Sequence, residues 1–195
     1  MPHFSRVLGV RSGDFDSRLL LAGRILLMNR THFFAVLLPL LCFTPQVRVA
    51  NVWIIHEDGV GPVKIGMTLA QLSGALHQEL GPDERDEHSC FYIDARGYDH
   101  VGFMIIDGKV ARVDVGKPGV KTSTGIQVGD TEAHARQVYG PKMRVTPHQY
   151  IDDGHYLTVR SADGRYGIRF ETEKGKIVGY YAGTYEAIQY VEGCE

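Results

Sequence analysis

The densest group of side chains that could carry out chemistry lies in the segment HQYIDDGHY, residues 148–156. His148, Asp152, Asp153 and His155 are of types that ligate zinc. Asp153 is followed by a glycine, however, and Asp-Gly is a strong turn signal that would place the two histidines on either side of a turn. The segment leaves two interpretations open. We favour a simple turn; the alternative is a small hydrolase or metal-binding protein that uses His148, Asp153 and His155.

A second candidate for chemistry is the thiol of Cys90, which has His88 and His100 nearby in the sequence. The segment GKPGVKTST, residues 116–124, contains Lys, Ser and Thr but lacks the spacing of a phosphate-binding loop. The chain also contains no G-x-S-x-G segment. We therefore predict no catalytic residue, no cofactor and no metal ligand, and we expect a protein that is not an enzyme.

Cysteine usage favours a structural bond over a nucleophile. The chain has three cysteines, Cys42, Cys90 and Cys194. Cys42 lies in a segment that we expect to be removed on export, which would leave the other two in an oxidising compartment, where thiols pair. A Cys90–Cys194 disulfide would tie the C-terminal tail to the first half of the domain. It would close a loop of about 100 residues.

The first 50 residues have the character of a targeting segment. From Met28 the chain has a short basic stretch, an apolar run over residues 33–43, and then Pro45 and the small residue Ala50. This is the layout of a secretory signal peptide over residues 28–50. The apolar run is too short for a membrane span, which needs about 20 residues. We interpret residues 1–27 as an upstream extension from a misplaced start codon, with a genuine long n-region of the signal peptide as the alternative.

Export predicts a periplasmic or secreted location and a mature chain without a transmembrane helix. We expect no lipid anchor at Cys42, because Leu41 stands where a lipoprotein signal has a small residue. Residues 1–50 contain six Arg and two Asp, whereas residues 51–195 contain 15 Lys or Arg against 21 Asp or Glu. A mildly acidic globular part argues against nucleic acid as a partner, because phosphates require a basic surface.

The same opening occurs twice in the exported part. Residues 65–68 read IGMT and residues 128–131 read VGDT, and each is followed by a helical pattern that a Gly-Pro pair ends. Thr68 with Gln71 fits a capping box, and the stripe of leucines predicts a helix that reaches Leu80. Thr131 takes the equivalent cap position.

Each predicted helix is followed by strands with turn signals between them, such as Asp107-Gly108 and Lys174-Gly175. The fold class is therefore predicted as α+β, with two tandem units that each consist of a helix packed on an antiparallel β-meander. The units are residues 51–119 and residues 120–195, the second including a C-terminal tail. Two such units side by side could share one core, since about 60 residues alone bury little surface.

The IGMT segment, the amphipathic helix, the LGP stop and the antiparallel strands together resemble the small outer-membrane-assembly lipoproteins of the SmpA/OmlA (BamE) type. The tandem arrangement is similar to the β-lactamase-inhibitor-protein fold, and the resemblance spans roughly residues 61–183. It implies a binding module of the bacterial envelope without catalytic residues.

Alternation along the predicted strands places residues such as Phe103 and Leu157 on the side of the sheet that faces the helices. We expect the opposite face to be open to solvent, and its residues are Tyr92, Met104, Arg112, Tyr156, Thr158, Arg160, Arg169 and Tyr180. Tyr, Met and Arg are enriched in interface cores, although strands also favour Tyr and Thr on exposed faces.

These residues form the candidate interaction face. The favoured function is a non-enzymatic protein–protein interaction or inhibitor-like module of the bacterial cell envelope, with an envelope protein as its partner. A ligand or glycan binder that uses the Tyr-rich sheet face is a further alternative.

Overall fold

The computed structural model describes residues 53–82 and 89–194. The predicted leader and the cysteine within it, Cys42, lie outside the described residues. The observed fold is α+β, as the sequence predicted, with two short α-helices and two mainly antiparallel sheets. No helix in the described ranges is long and apolar enough to cross a membrane.

Seven antiparallel strands form the larger sheet, in the order β4-β5-β6-β11-β10-β9-β8. Their bounds are β4 Cys90–Asp94, β5 Val101–Ile106, β6 Lys109–Val115, β8 Met143–Pro147, β9 His155–Arg160, β10 Tyr166–Glu173 and β11 Lys176–Thr184. Both predicted units supply strands to this sheet, and they meet where β6 pairs with β11, with Tyr180 opposite Val115.

A smaller sheet of four short strands has the order β3-β2-β1-β7. The strands are β1 Ile54–His56, β2 Gly59–Val60, β3 Val63–Lys64 and β7 Lys121–Thr122. The pairing of β1 with β7 is parallel, with Ile54 opposite Lys121. The segment GKPGVKTST, residues 116–124, therefore contains a short strand that pairs with β1 near the start of the described chain.

Two helices of eight residues each begin directly after the predicted capping threonines, Thr68 and Thr131: α1 is Leu69–Leu76 and α2 is Glu132–Tyr139. The capping box is confirmed, since the backbone N–H of Gln71 donates to Oγ1 of Thr68 at 3.3 Å and that of Thr68 donates to Oε1 of Gln71 at 2.9 Å. The expectation that α1 reaches Leu80 is wrong. His77 takes a left-handed conformation (φ 52°) and ends the helix one turn earlier.

The two helix starts contact the sheet in the same way. The backbone N–H of Gly66 donates to the carbonyl of Val110 at 2.7 Å, and that of Gly129 donates to the carbonyl of Ile177 at 2.8 Å. The capping residues form matching bridges, Thr68 to Lys109 and Thr131 to Lys176. α1 is thereby fixed to the β5–β6 hairpin and α2 to the β10–β11 hairpin.

One core lies between the helices and the larger sheet. Leu72 of α1 and Ala135 of α2 are completely buried against it, as are Phe103, Leu157 and Phe170 of the sheet. Burying a side chain of this size stabilises the fold by about 1.5–3 kcal/mol. The helix-facing residues predicted from strand alternation therefore do form the core, although Phe91 at the edge is only partly buried.

Candidate functional site

The segment that the sequence analysis singled out forms a turn that separates its histidines. His148 stacks on the ring of Tyr156, with ring centroids 4.3 Å apart, whereas Nδ1 of His155 lies 3.0 Å from Oε2 of Glu132. His155 and Tyr156 are successive strand residues, so their side chains point to opposite faces of the sheet. The structure therefore does not bring His148, Asp153 and His155 together in one site, and Asp153 is exposed.

In the described ranges no group of three or more His, Cys, Asp or Glu side chains is placed to hold a metal ion. Gly154 is required by packing rather than by chemistry, because a Cβ at this position would lie 2.5 Å from the carbonyl oxygen of Thr172.

Glu132, in the first turn of α2, is the best-connected carboxylate on the helix side of the sheet. It accepts a hydrogen bond of 2.9 Å from Oγ1 of Thr172, and it pairs with Arg136 and His155. Burial raises the pKa of Glu132, but the hydrogen bonds from Thr172, Arg136 and His155 outweigh burial and lower the pKa below its ordinary value. The cluster ties α2 to β9 and β10.

The candidate interaction face is not open to solvent, and in this respect the expectation from sequence is wrong. Six of its eight residues are buried in the structure: Met104, Arg112, Tyr156, Thr158, Arg169 and Tyr180. Tyr92 is 37% exposed, and Arg160 is also exposed.

Tyr180 does not belong to this face. Its neighbours across the strands are Phe170 and Val115, which are core residues, and its hydroxyl donates to the carbonyl of Val120 at 2.9 Å. The register of β10 and β11 shifts so that Val178 is an extra residue between Ile177 and Gly179. A bulge of this kind reverses the alternation, so Tyr181 takes the outer position that strict alternation assigns to Tyr180.

The chain's own C-terminal segment covers the outer face. We refer to residues 185–194 as the C-terminal strap; it begins after β11 and contains a 3₁₀ turn at Ala187–Gln189. Ile188 is completely buried and Ala187 is 2% exposed, so the strap is packed on the domain at its centre. Both residues belong to the C-terminal tail that the predicted disulfide would tie to the first half of the domain.

Arg112 is the central residue beneath the strap, and the sheet itself holds its guanidinium. Nε and Nη2 of Arg112 donate to the two carboxylate oxygens of Asp114, each at 2.7 Å, and Nη2 also donates to the hydroxyl of Tyr92 at 2.7 Å. The guanidinium carbon lies 4.3 Å from the centre of the Tyr181 ring. Burial and the adjacent Asp114 raise the pKa of Tyr92 to about 12, so its hydroxyl stays protonated at neutral pH.

Nη1, at the remaining edge of Arg112, is directed at the strap. It donates to the carbonyl oxygens of Ala187 at 3.1 Å and Tyr190 at 2.8 Å. Arg169 is arranged in a similar way, because its Nε donates to Oγ1 of Thr158 at 3.0 Å while its Nη2 donates to the side-chain oxygen of Gln189. Two buried arginines of the sheet thus bind acceptors on the strap.

The strap and the sheet also fit closely at two glycines, one in the sheet and one in the strap. A Cβ added to Gly167 would lie 2.7 Å from Cδ1 of Ile188, and a Cβ added to Gly193 of the strap would lie 2.8 Å from the Tyr92 hydroxyl oxygen. At the start of the strap, the guanidinium carbon of Arg160 lies 4.0 Å from the centre of the Tyr185 ring.

The predicted disulfide is present and fastens the far end of the strap. Cys90 and Cys194 are bonded with their Cα atoms 5.3 Å apart, within the range that a disulfide requires. Both residues are half-buried. The strap is therefore held covalently to the edge strand β4 at one end and continues from the central strand β11 at the other.

Sequence reasoning missed Asp114 and Tyr181, which position Arg112. The spacing Arg112-Val113-Asp114 contains a usable signal, since residues two apart on a strand lie on the same face and can pair. No local pattern could identify Tyr181, because the extra residue Val178 changes the sheet face to which its side chain points.

A cleft of about 640 Å³ opens between the turn that links β4 to β5 and the segment before β7. Its lining includes Trp53, Arg96, Tyr98, His100 and Pro118. The rings of Trp53 and Tyr98 are in contact, with centroids 4.0 Å apart. The sequence gives no sign of this cleft, because its aromatic residues are 45 positions apart in the chain.

No known family model matches the chain, and no curated protein matches it. Among solved structures, the chain is similar to the uncharacterized protein YfeY from Escherichia coli, with a TM-score of 0.44 and 12% sequence identity. The alignment covers 67% of this chain and 99% of that chain.

Proposed function

We propose that this protein is an exported, non-enzymatic binding protein of the bacterial envelope that holds a protein partner at the cleft beside Trp53 and Tyr98. The observation that carries the proposal is the composition of that cleft. It combines Trp53 and Tyr98 with Arg96, and these three residue types dominate the energetic centres of protein interfaces. Asp99 and His100 supply a polar rim, which is the usual surrounding of such a centre.

The cleft differs from the outer face of the sheet in its accessibility. Arg96, Asp99, His100 and Pro118 are exposed, whereas the outer face lies beneath the C-terminal strap. A cleft of about 640 Å³ is of a size that accommodates a few side chains of a partner. The accessibility and the volume of the cleft support the proposal that it binds a projecting loop or turn of the partner.

An extracytoplasmic location is part of the proposal. The Cys90–Cys194 disulfide supports it, because such bonds persist in oxidising compartments and are rare in the cytosol. The leader-like N-terminal sequence supports it independently.

We further infer that the domain consists of two tandem units related by duplication, of the kind found in SmpA/OmlA (BamE)-type and β-lactamase-inhibitor-like proteins. The matching contacts of the two helix starts, Thr68 with Lys109 and Thr131 with Lys176, support this inference. Each of these positions corresponds in the repeated sequence phrases as well.

The cleft can be tested by site-directed photo-crosslinking in intact cells. We expect a photoreactive residue at Tyr98 or at His100 to give the same protein adduct. The matched control is Val138, which is 40% exposed on α2. Adducts that are equal at all three positions, or absent at Tyr98 and His100, would contradict the proposal.

The adduct should also depend on the chemistry of the cleft. Replacing Arg96 by Ala, with the photoreactive residue kept at His100, should reduce the yield of the adduct while leaving the abundance of the protein unchanged. An unchanged yield would show that Arg96 makes no contribution to binding.

A further inference from the structure

We propose that the outer face of the larger sheet is a second, peptide-binding surface, which the C-terminal strap occupies in the disulfide-bonded protein. Reduction of the Cys90–Cys194 bond opens this surface to a polypeptide segment of another chain. This surface is separate from the cleft, so the proposal goes beyond the proposed function and does not depend on it.

The first argument is that the binding groups are fixed without the strap. Arg112 is held by Asp114, Tyr92 and Tyr181, which belong to β6, β4 and β11. Arg169 is held by Thr158 of β9. Groups that are already oriented in the absence of a ligand lose little conformational freedom on binding, which favours recognition.

The second argument is that the strap offers the acceptors that any polypeptide could offer. Arg112 donates hydrogen bonds to the backbone carbonyls of Ala187 and Tyr190, and Arg169 donates one to the side-chain amide oxygen of Gln189. Ile188 also fits closely over Gly167, and the guanidinium of Arg160 lies over the Tyr185 ring. The chemical class of the ligand is therefore a short peptide turn that has a branched apolar residue followed by Gln or another side-chain acceptor.

The third argument concerns how the strap is attached. The backbone N–H groups of Gln189 and Tyr190 donate to Glu186 and Ala187, within the strap itself, at 2.9 and 3.2 Å. The strap is thus a turn with its own backbone hydrogen bonds. Its first residue is held by the backbone, since the N–H of Tyr185 donates to the carbonyl of Arg165 at 2.8 Å, whereas the contacts described above for residues 187–194 involve side chains of the sheet and the disulfide. The strap can leave without breaking the strand pairing of the larger sheet.

Opening requires a dithiol reductant of the thiol–disulfide oxidoreductase class, and both cysteines are partly accessible to one. A thiolate of the reductant attacks Sγ of Cys194, the Cys90–Cys194 bond breaks, and Cys90 leaves as a thiolate that takes up a proton. The second thiol of the reductant then attacks the mixed disulfide and releases Cys194 as a thiol. The reductant is oxidised to its disulfide, and the two cysteines are reduced.

The released strap stays tethered at Thr184, so it competes with a free peptide at a high effective concentration. The binding experiment must therefore weaken the tethered strap. We would compare the oxidised wild-type protein with a variant that carries Cys90→Ser, Cys194→Ser and Ile188→Asp. The probe is the synthetic peptide YEAIQYVEG, residues 185–193, and the control peptide carries the Ile188→Asp change.

We expect the probe to bind the variant, the control peptide to bind at least roughly tenfold more weakly because a buried charge replaces Ile188, and neither peptide to bind the oxidised wild-type protein. A folded variant that does not bind the probe would overturn the proposal. Equal binding of the two peptides would overturn it as well.

A second measurement keeps the proposal testable if that variant does not fold. Hydrogen exchange of the wild-type protein should show amides of residues 185–193 exchanging at least roughly tenfold faster after reduction, while amides of β9 and β10 keep their protection. Unchanged protection of the strap, or loss of protection throughout the sheet, would each show that the bond does not govern a detachable strap.

Discussion

Arg112 shows why a buried charge can be tolerated on the face of a sheet. It is 3% exposed, yet its donors have acceptors in Asp114, Tyr92 and two strap carbonyls. Because a buried charge without a partner is far more costly than a paired one, the cost of removing Asp114 should be large.

Replacing Asp114 by Ala should lower the free energy of unfolding by about 3 kcal/mol, the lower end of the range for a broken buried pair. The lower end applies because the Asp114 side chain remains 28% exposed. Urea denaturation measures the loss. In the control, Asp58→Ala breaks the exposed pair with Lys64 and should cost less than about 1 kcal/mol. Similar losses in the two variants would contradict our assignment of Arg112 as a buried, network-held group.

Glu132 makes the stability of α2 depend on pH in a defined direction. Its pKa is lowered in the folded protein from the ordinary value of 4.5, so folding favours the charged form. The stabilisation is therefore present above the unfolded pKa and is lost as the pH falls through the folded pKa.

The melting temperature of Glu132→Gln should accordingly lie below that of the wild type at pH 7. The difference should shrink as the pH is lowered from 5 towards 3, because the wild-type carboxylate becomes protonated. Thermal unfolding at several pH values tests this prediction. A difference that grows on acidification would mean that the charged form of Glu132 is not the one stabilised by folding.

Strand β10 has a glycine at the point where the strap crosses it. A Cβ on Gly167 would come within 2.7 Å of both Ile188 Cδ1 and the carbonyl oxygen of Val159. The strand and the strap therefore cannot both keep their positions if this residue gains a side chain.

Gly167→Ala should lower the free energy of unfolding by about 1–3 kcal/mol, the typical cost of overpacking. Gly102→Ala on β5 is the matched control, since its nearest neighbour would be 3.7 Å away, an ordinary contact. Chemical denaturation of the two variants should thus give different midpoints. If Gly102→Ala is as harmful as Gly167→Ala, the close fit of Ile188 is not the cause.

For the whole protein, the strap and the disulfide connect the last residues of the chain to the first strand of the larger sheet. The bond spans 104 positions, so it restricts the unfolded chain strongly. In the chain-entropy model a loop of this length contributes roughly 4–5 kcal/mol, as an upper figure.

The native protein should begin between about residues 44 and 53, after removal of a signal peptide, and should contain no reactive thiol before reduction. Intact mass spectrometry with thiol alkylation measures both properties. Protein recovered with Met1 in place, or with alkylated Cys90 and Cys194, would contradict export to an oxidising compartment.

The sequence by itself determined the features that depend on neighbouring residues. Thr68 and Thr131 cap helices because a hydroxyl reaches the backbone N–H three residues ahead. Asp107-Gly108 and Lys174-Gly175 turn the chain because both residues of each pair adopt positive φ angles. Alternation within β5, β9 and β10 identified the core side of the sheet because side chains there repeat every two residues.

Only the tertiary structure decided what lies against the second face of that sheet. Alternation distinguishes two faces, but it cannot show that residues 185–194 return to cover Arg112 and Arg169, since that contact joins positions about 75 and 20 residues apart. The bulge at Val178 reverses the orientation of Tyr180 and Tyr181. It too depends on a contact between segments, because it arises from the register in which β11 pairs with β10. A polar sheet face becomes buried when a segment distant in the sequence packs against it, and the alternation of residues along a strand carries no information about such a contact.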